Sequence, residues 1–154
     1  MNSPTVLLID DDPVFLEYQT FLLNEVGFSV YSSTDSSNVR KMIKRCNPDL
    51  LILDKVMPID GLLIAEQVKK EFEWLPVLIV TSTADNIDKK KAFALGCIDY
   101  IRKDADKDEF MHRISKYCHI GHLVKSVNTM SDNFAKRVDK LEKDIGSKRR
   151  FDDD

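Results

Sequence analysis

Apolar and polar positions along the chain follow two rhythms. Val6-Leu7-Leu8-Ile9 is an unbroken apolar run of strand length that ends on Asp10-Asp11-Asp12. Pro13 suits a first helical position, where its missing N–H costs nothing, and Val14, Tyr18, Leu22 and Val26 keep helical spacing up to Gly27. Phe28 to Tyr31 predicts a second strand; Val39, Met42, Ile43 and Cys46 mark the next helix face, with Thr34, Asp35 or Ser36 as its cap. Leu50 to Leu53 repeats the opening run and ends on Asp54. A helix over about Leu62 to Phe72, a strand Val77 to Val80 ending on Thr81, and a helix over roughly Ile87 to Leu95 closed by Gly96 come next. The strand Ile98 to Ile101 leads to Lys103, and a last helix starts near Asp106.

Five rounds of strand then helix predict an α/β fold. Strands apolar on both faces need covering on both faces, which means a parallel, doubly wound sheet with helices on either side. In such sheets function gathers beyond the carboxyl ends of the strands, where strand order reverses. Asp10 and Asp11, Asp54, Thr81 and Lys103 all fall at those ends. Three carboxylates in one half-buried crevice repel each other, and a hard divalent cation relieves that; few ligands and open water positions suit Mg²⁺. Such a metal binds phosphoryl oxygens, Lys103 adds a second cation, Thr81 a hydroxyl, and an aspartate can itself be the nucleophile.

These motifs carry a resemblance. Residues 5 to about 118 resemble the response-regulator receiver domain of two-component signalling, through Leu8-Ile9-Asp10-Asp11-Asp12-Pro13, Pro48-Asp49-Leu50-Leu51-Ile52-Leu53-Asp54-Lys55-Val56-Met57-Pro58, Val80-Thr81-Ser82 and Gly96-Cys97-Ile98-Asp99-Tyr100-Ile101-Arg102-Lys103. The resemblance implies a flavodoxin-like sheet of order 2-1-3-4-5 with five helices. It implies Asp54 as phosphoacceptor for a phosphohistidine, delivered by a histidine kinase or histidine phosphotransfer protein. Mg²⁺ would be held by Asp11, by Asp10 through water, by Asp54 and by the backbone carbonyl of Val56. Thr81 is implied as the switch hydroxyl, Lys103 as the partner of acceptor and phosphate, and Tyr100 as the switch aromatic. The expected product is a signalling protein that acts through contacts with a downstream protein target, not an enzyme.

Three departures from the family pattern stand out. Asp104 replaces the usual Pro after Lys103, so a cis bond is not expected there and the added acid would weaken the pull of Lys103. The stretch from Asp54 to Gly61 is one residue short, which calls for a tighter loop. Val56 replaces a polar side chain and, with Thr83, is implied to tune loss of the phosphoryl group; Val56 cannot orient water, so a persistent phosphorylated state is expected. A rival reading takes Asp10-Asp11-Asp12-Pro13-Val14 as the start of a haloacid-dehalogenase-type phosphatase, with Asp10 as nucleophile and Asp12 as acid–base. It needs an acidic motif after the lysine, where only Asp104, Asp106 and Asp108 are available, and leaves Asp54 unexplained.

The receiver-like part is expected over residues 1–120, followed by an amphipathic, coiled-coil-like helix over 121–147 and a charged, unstructured end at 148–154. Leu123, Val127, Met130, Phe134, Val138, Leu141 and Ile145 repeat at spacings of 4, 3, 4, 4, 3 and 4. This 11-residue period over three turns keeps one face with little supercoil. Asp132 with Lys136 and Asp139 with Lys143 add i,i+4 pairs. The stripe either folds back on its own domain, pairs in a homodimer or docks another protein, and the dimer is favoured because a narrow stripe suits a helix–helix seam. Gly121 lets the segment turn away or lies within a continuous helix.

Composition narrows the class. The 154 residues carry a formal charge of −3, and residues 119–154 hold eight Lys and Arg against seven acids, so bulk charge gives no case for a nucleic-acid or membrane partner. No apolar run reaches the roughly 20 residues of a membrane span. Met1-Asn2-Ser3-Pro4 does not open a secretory signal. Cys46, Cys97 and Cys118 are odd in number and far apart, reading as small apolar residues in a reducing, cytoplasmic setting. His112, His119 and His122 read as surface or packing residues.

Overall fold

A computed structural model describes the backbone of residues 3–83 and 85–152 and the side chains through 146, except residue 84. Five strands, β1 (Thr5–Ile9), β2 (Ser29–Ser33), β3 (Leu50–Asp54), β4 (Val77–Thr81) and β5 (Asp99–Arg102), alternate with α1 (Pro13–Glu25), α2 (Val39–Cys46), α3 (Gly61–Glu71), α4 (Asn86–Ala94) and α5 (Lys107–Asp152). All neighbours pair in parallel, in the order β2-β1-β3-β4-β5, as the sequence reading anticipated. The chain passes from β1 to one edge and returns to β3 on the other side of β1. The crevice at this reversal lies beyond Ile9 and Asp54.

Alternate residues of the central strands feed two cores. Leu7, Ile9, Leu51, Leu53, Val77 and Ile79 pack with Val39 and Ile43 of α2, Ala65 and Val68 of α3, and Ala92 of α4. Val6, Leu8, Leu50, Ile52, Leu78 and Val80 pack with Leu16 and Leu23 of α1 and Phe110, Ile114 and Cys118 of α5. β3 and β4 are buried along their whole length. β2 is an edge strand and departs from the pattern of strands apolar on both faces: Ser29, Tyr31 and Ser32 are exposed.

Two local expectations are corrected. The residues whose spacing predicts α1 lie mostly on its outward face, with Val14 at 75% and Tyr18 at 52% exposure, while Leu16, Gln19 and Leu23 face the core. Asn38, rather than Thr34, Asp35 or Ser36, precedes the first turn of α2; Asp35 instead closes a turn by accepting from the Ser37 N–H at 2.9 Å and its hydroxyl at 2.6 Å.

The chain divides into two compact units, Met1–His122 and Leu123–Asp154. In the first, Gly121 lies within α5 against the strand-entry loop: a Cβ there would stand 1.7 Å from the Asp49 carbonyl oxygen. In the second, the seven stripe residues are 38–70% exposed, and Lys143 pairs with Asp139 at 3.0 Å. The end expected to be unstructured is corrected over most of its length, since the backbone of residues 148–152 continues α5; residues 153–154 lie outside the described residues. Among the described residues no helix is long and apolar enough to cross a membrane.

Candidate functional site

Each residue of the cluster is delivered by a strand whose own apolar run ends there. Asp10 follows β1 and is buried, its Oδ1 accepting from the Asp12 N–H at 2.9 Å. Asp11 is exposed at the mouth. Asp12 turns away to cap α1, accepting from the N–H of Val14 at 3.1 Å and of Phe15 at 3.4 Å. Asp54 closes β3, is 4% exposed, and accepts from the Val56 N–H at 3.3 Å. Carboxylate oxygens of Asp10, Asp11 and Asp54 lie within 4.8 Å of one another.

Lys103 reaches this cluster from the end of β5. Its Nζ lies 2.8 Å from Asp10 Oδ2 and 3.3 Å from Asp54 Oδ2, and 4.4 Å from the centroid of the Phe15 ring. Burial works against the ammonium charge, but the two carboxylates outweigh it and hold Lys103 above its ordinary value. Asp54 shifts the other way for an acid that needs its charge. Burial and the Asp10 charge push its carboxyl up, against the opposing pull of Lys103 and the Val56 amide. One lysine therefore offsets part of the repulsion among three carboxylates, and a hard divalent cation suits what is left.

Thr81, fully buried at the end of β4, sits beside Thr83, whose N–H lies 3.4 Å from the Thr81 hydroxyl oxygen. Tyr100 is 6% exposed and its hydroxyl donates to the Thr83 carbonyl at 3.5 Å. The loop after Asp54 is held tight by the Gly61 N–H donating to the Lys55 carbonyl at 2.9 Å. Gly61 is required there, since a Cβ would stand 2.1 Å from the Asp54 carbonyl oxygen.

Asp104 does not compete for Lys103, which corrects the expected weakening. Its carboxylate takes two bonds from Arg102, at 2.9 and 2.8 Å, and is exposed. No cis peptide occurs among the described residues. Three features escaped the sequence reading: the Phe15 ring beside Lys103; the ion pair of Lys55 with Asp88 of α4 at 2.7 Å; and the half-buried Asp99, which Arg113 and the Tyr117 hydroxyl of α5 both engage. Nothing local marks them, because each partner lies on a different element. Among the histidines, His122 faces an acid, with Nδ1 3.5 Å from Asp49 Oδ1.

The fold and the lysine-bridged acidic pocket at its switch edge define a class, the doubly wound signalling domains. The chain belongs to the response regulator receiver domain family, which it matches over residues 6–115. It is similar to the DNA-binding dual master transcriptional regulator RpaA of Synechocystis, 29% identical over 114 residues that cover 72% of this chain and 47% of that protein. The chain thus spans about half the length of that relative. A response regulator receiver domain protein from Clostridium thermocellum superposes with a TM-score of 0.72 at 27% identity, covering 79% of this chain and 98% of that one. A CheY-like receiver domain protein from Methanospirillum hungatei, at 19% identity and a TM-score of 0.73, covers 79% and 98% and shares the fold. Family membership sets aside the phosphatase reading. Consistently, the Asp12 carboxylate is taken up in capping α1, Asp104 in pairing with Arg102, and Asp106 in accepting from the Glu109 N–H at 3.1 Å.

Proposed function

We propose that this receiver domain accepts a phosphoryl group on Asp54 from the phosphohistidine of a histidine kinase or histidine phosphotransfer protein, in a Mg²⁺-dependent reaction. The observation that carries it is the buried Asp54 carboxylate, bridged by Lys103 and facing Asp10 and Asp11 at the switch edge. A carboxylate oxygen of Asp54 attacks phosphorus, the N–P bond of the phosphoimidazole breaks, and the imidazole nitrogen keeps the electron pair and takes a proton from solvent. Asp10, Asp11, Asp54 and the Val56 carbonyl would hold Mg²⁺. Bound there, it would neutralise the carboxylates and draw charge from the phosphoryl oxygens. Lys103, already held by both buried acids, supplies the second cation without leaving its place. The exposed apolar residues Val14 and Tyr18 of α1 offer the incoming donor protein a surface beside this mouth.

The response runs through Thr81 and Tyr100. A hydroxyl drawn toward the new phosphoryl oxygens moves the chain around Thr83, whose carbonyl receives the Tyr100 hydroxyl. A local charge event so biases the surface of α4, β5 and α5 that a downstream protein reads. The setting proposed is the cytoplasm, with the three free thiols reduced.

Labelling with acetyl phosphate and Mg²⁺, followed by borohydride reduction and peptide mapping, is expected to mark Asp54 and to fail in Asp54→Asn. A mark on Asp10 would overturn the reading. Pulse-chase transfer from Asp54 to phosphotransfer proteins separates a relay intermediate from a terminal effector.

A further inference from the structure

The second unit of the chain is helical and presents large apolar side chains to water: Met130 is 70% exposed and Phe134 69%. We infer that this stripe is the seam of a homodimer in which two copies of α5 lie parallel and in register. The interface is independent of the chemistry at Asp54.

The occupant is argued from shape, charge and area. At 100° per residue the seven stripe positions fall within about 80° of one another, a seam wide enough for one helix and too narrow to cover a sheet. Their 11-residue period keeps the seam straight over roughly 33 Å, so two copies stay in contact along its whole length. Arg137 and Glu142 flank the stripe on opposite sides and are five residues apart. In a parallel, in-register pair this spacing brings Arg137 of each copy to Glu142 of the other, twice by symmetry. An antiparallel pair centred on Phe134 instead sets these charges against Ser126, Ser131 and Asn133, and forms no such pair. If the seven stripe side chains lose roughly 70 Å² each on average, the pair removes about 1,000 Å² in all, the size at which a specific interface begins. A second copy therefore supplies both the apolar face and the opposite charges that the stripe needs.

The test uses the full chain in sedimentation equilibrium over a wide concentration range. A dimer is expected, and Phe134→Asp is expected to give a monomer with unchanged helical circular dichroism. Arg137→Glu and Glu142→Arg should each weaken association by about three- to tenfold, and the double exchange should restore it. Val127→Cys in a Cys46→Ser background fixes the direction, because Cys97 and Cys118 are buried. Parallel helices give a disulfide between two copies of this variant. A wild-type monomer at every concentration overturns the proposal, whether the stripe folds back or awaits another protein. So does cross-linking that needs Val127→Cys mixed with Leu141→Cys, the signature of the antiparallel pair.

Discussion

The Asp54 carboxyl is where the proposed chemistry and the stability of the fold meet in a single residue. Burial and the Asp10 charge raise its affinity for a proton in the folded state. Between the unfolded and folded values the native state binds more protons than the unfolded one, so metal-free stability falls as pH rises through that window. Asp54→Asn removes that fall and is expected to raise the metal-free Tm near neutral pH by roughly 3–6 °C, about 1–2 kcal/mol for a domain of this size. Differential scanning calorimetry at several pH values checks it; the wild-type protein should gain in Tm with Mg²⁺, more at neutral pH than at pH 4, and the variant much less. Val56 argues a second case. It is 55% exposed beside Asp54 and offers no side-chain hydrogen bond to a water. The phosphorylated state should therefore persist, and Val56→Asn should shorten its half-life by about tenfold in a phosphate-release assay. Asp10, Asp54 and Thr81 were legible because each directly follows a run that only a buried strand explains, and Lys103 because it stands one residue beyond such a run. Phe15, Lys55 with Asp88, and the turning of Asp104 to Arg102 were not, because their geometry is decided by neighbours from other elements.

At the scale of elements, sequence periodicity located helices and strands but not always their faces. Val14, Tyr18 and Val26 keep a helical rhythm, yet α1 buries Leu16, Gln19 and Leu23. An apolar outward face and a core face of mixed polarity look alike to a periodicity count, and only the sheet beneath α1 decides between them. The opposite error is possible for glycine. Gly121 invites reading as a hinge, whereas the structure places it inside α5 where any Cβ would meet the Asp49 carbonyl at 1.7 Å. This approach joins positions 72 residues apart in sequence and carries no local signal. Asp49 is itself anchored, its Oδ2 accepting from the Thr5 N–H at 2.7 Å and its own N–H donating to the Thr5 carbonyl at 2.8 Å, so it cannot yield cheaply. Gly121→Ala is expected to cost about 2–3 kcal/mol by overpacking. Gly146, in the same helix with nothing within 4 Å of a Cβ, supplies the control: Gly146→Ala should be neutral or stabilising by up to about 1 kcal/mol. Urea unfolding of both variants tests the pair, and equal losses would remove the role given to Asp49.

For the whole molecule, the two units divide a receiver core from a segment in which no described side chain is buried. Every buried apolar side chain of the two sheet-face clusters lies at or before Cys118, and α5 contributes Phe110, Ile114 and Cys118 to them. A chain ending after His122 keeps those contacts together with the approach of Gly121 to Asp49. It should fold and accept phosphate on Asp54 at the rate of the full chain. One ending after Tyr117 loses the buried Cys118 and that approach, and should be about 2 kcal/mol less stable. Mass action then separates the two roles of α5. If the second unit joins two copies, association stabilises the folded state in proportion to the logarithm of protein concentration. The Tm of the full chain should therefore climb by several degrees over a hundredfold rise in concentration, while the chain ending after His122 shows one Tm throughout. A concentration-independent Tm for both would leave the stripe without a self-partner, and an equal climb in both would move the dimer contact onto the receiver itself.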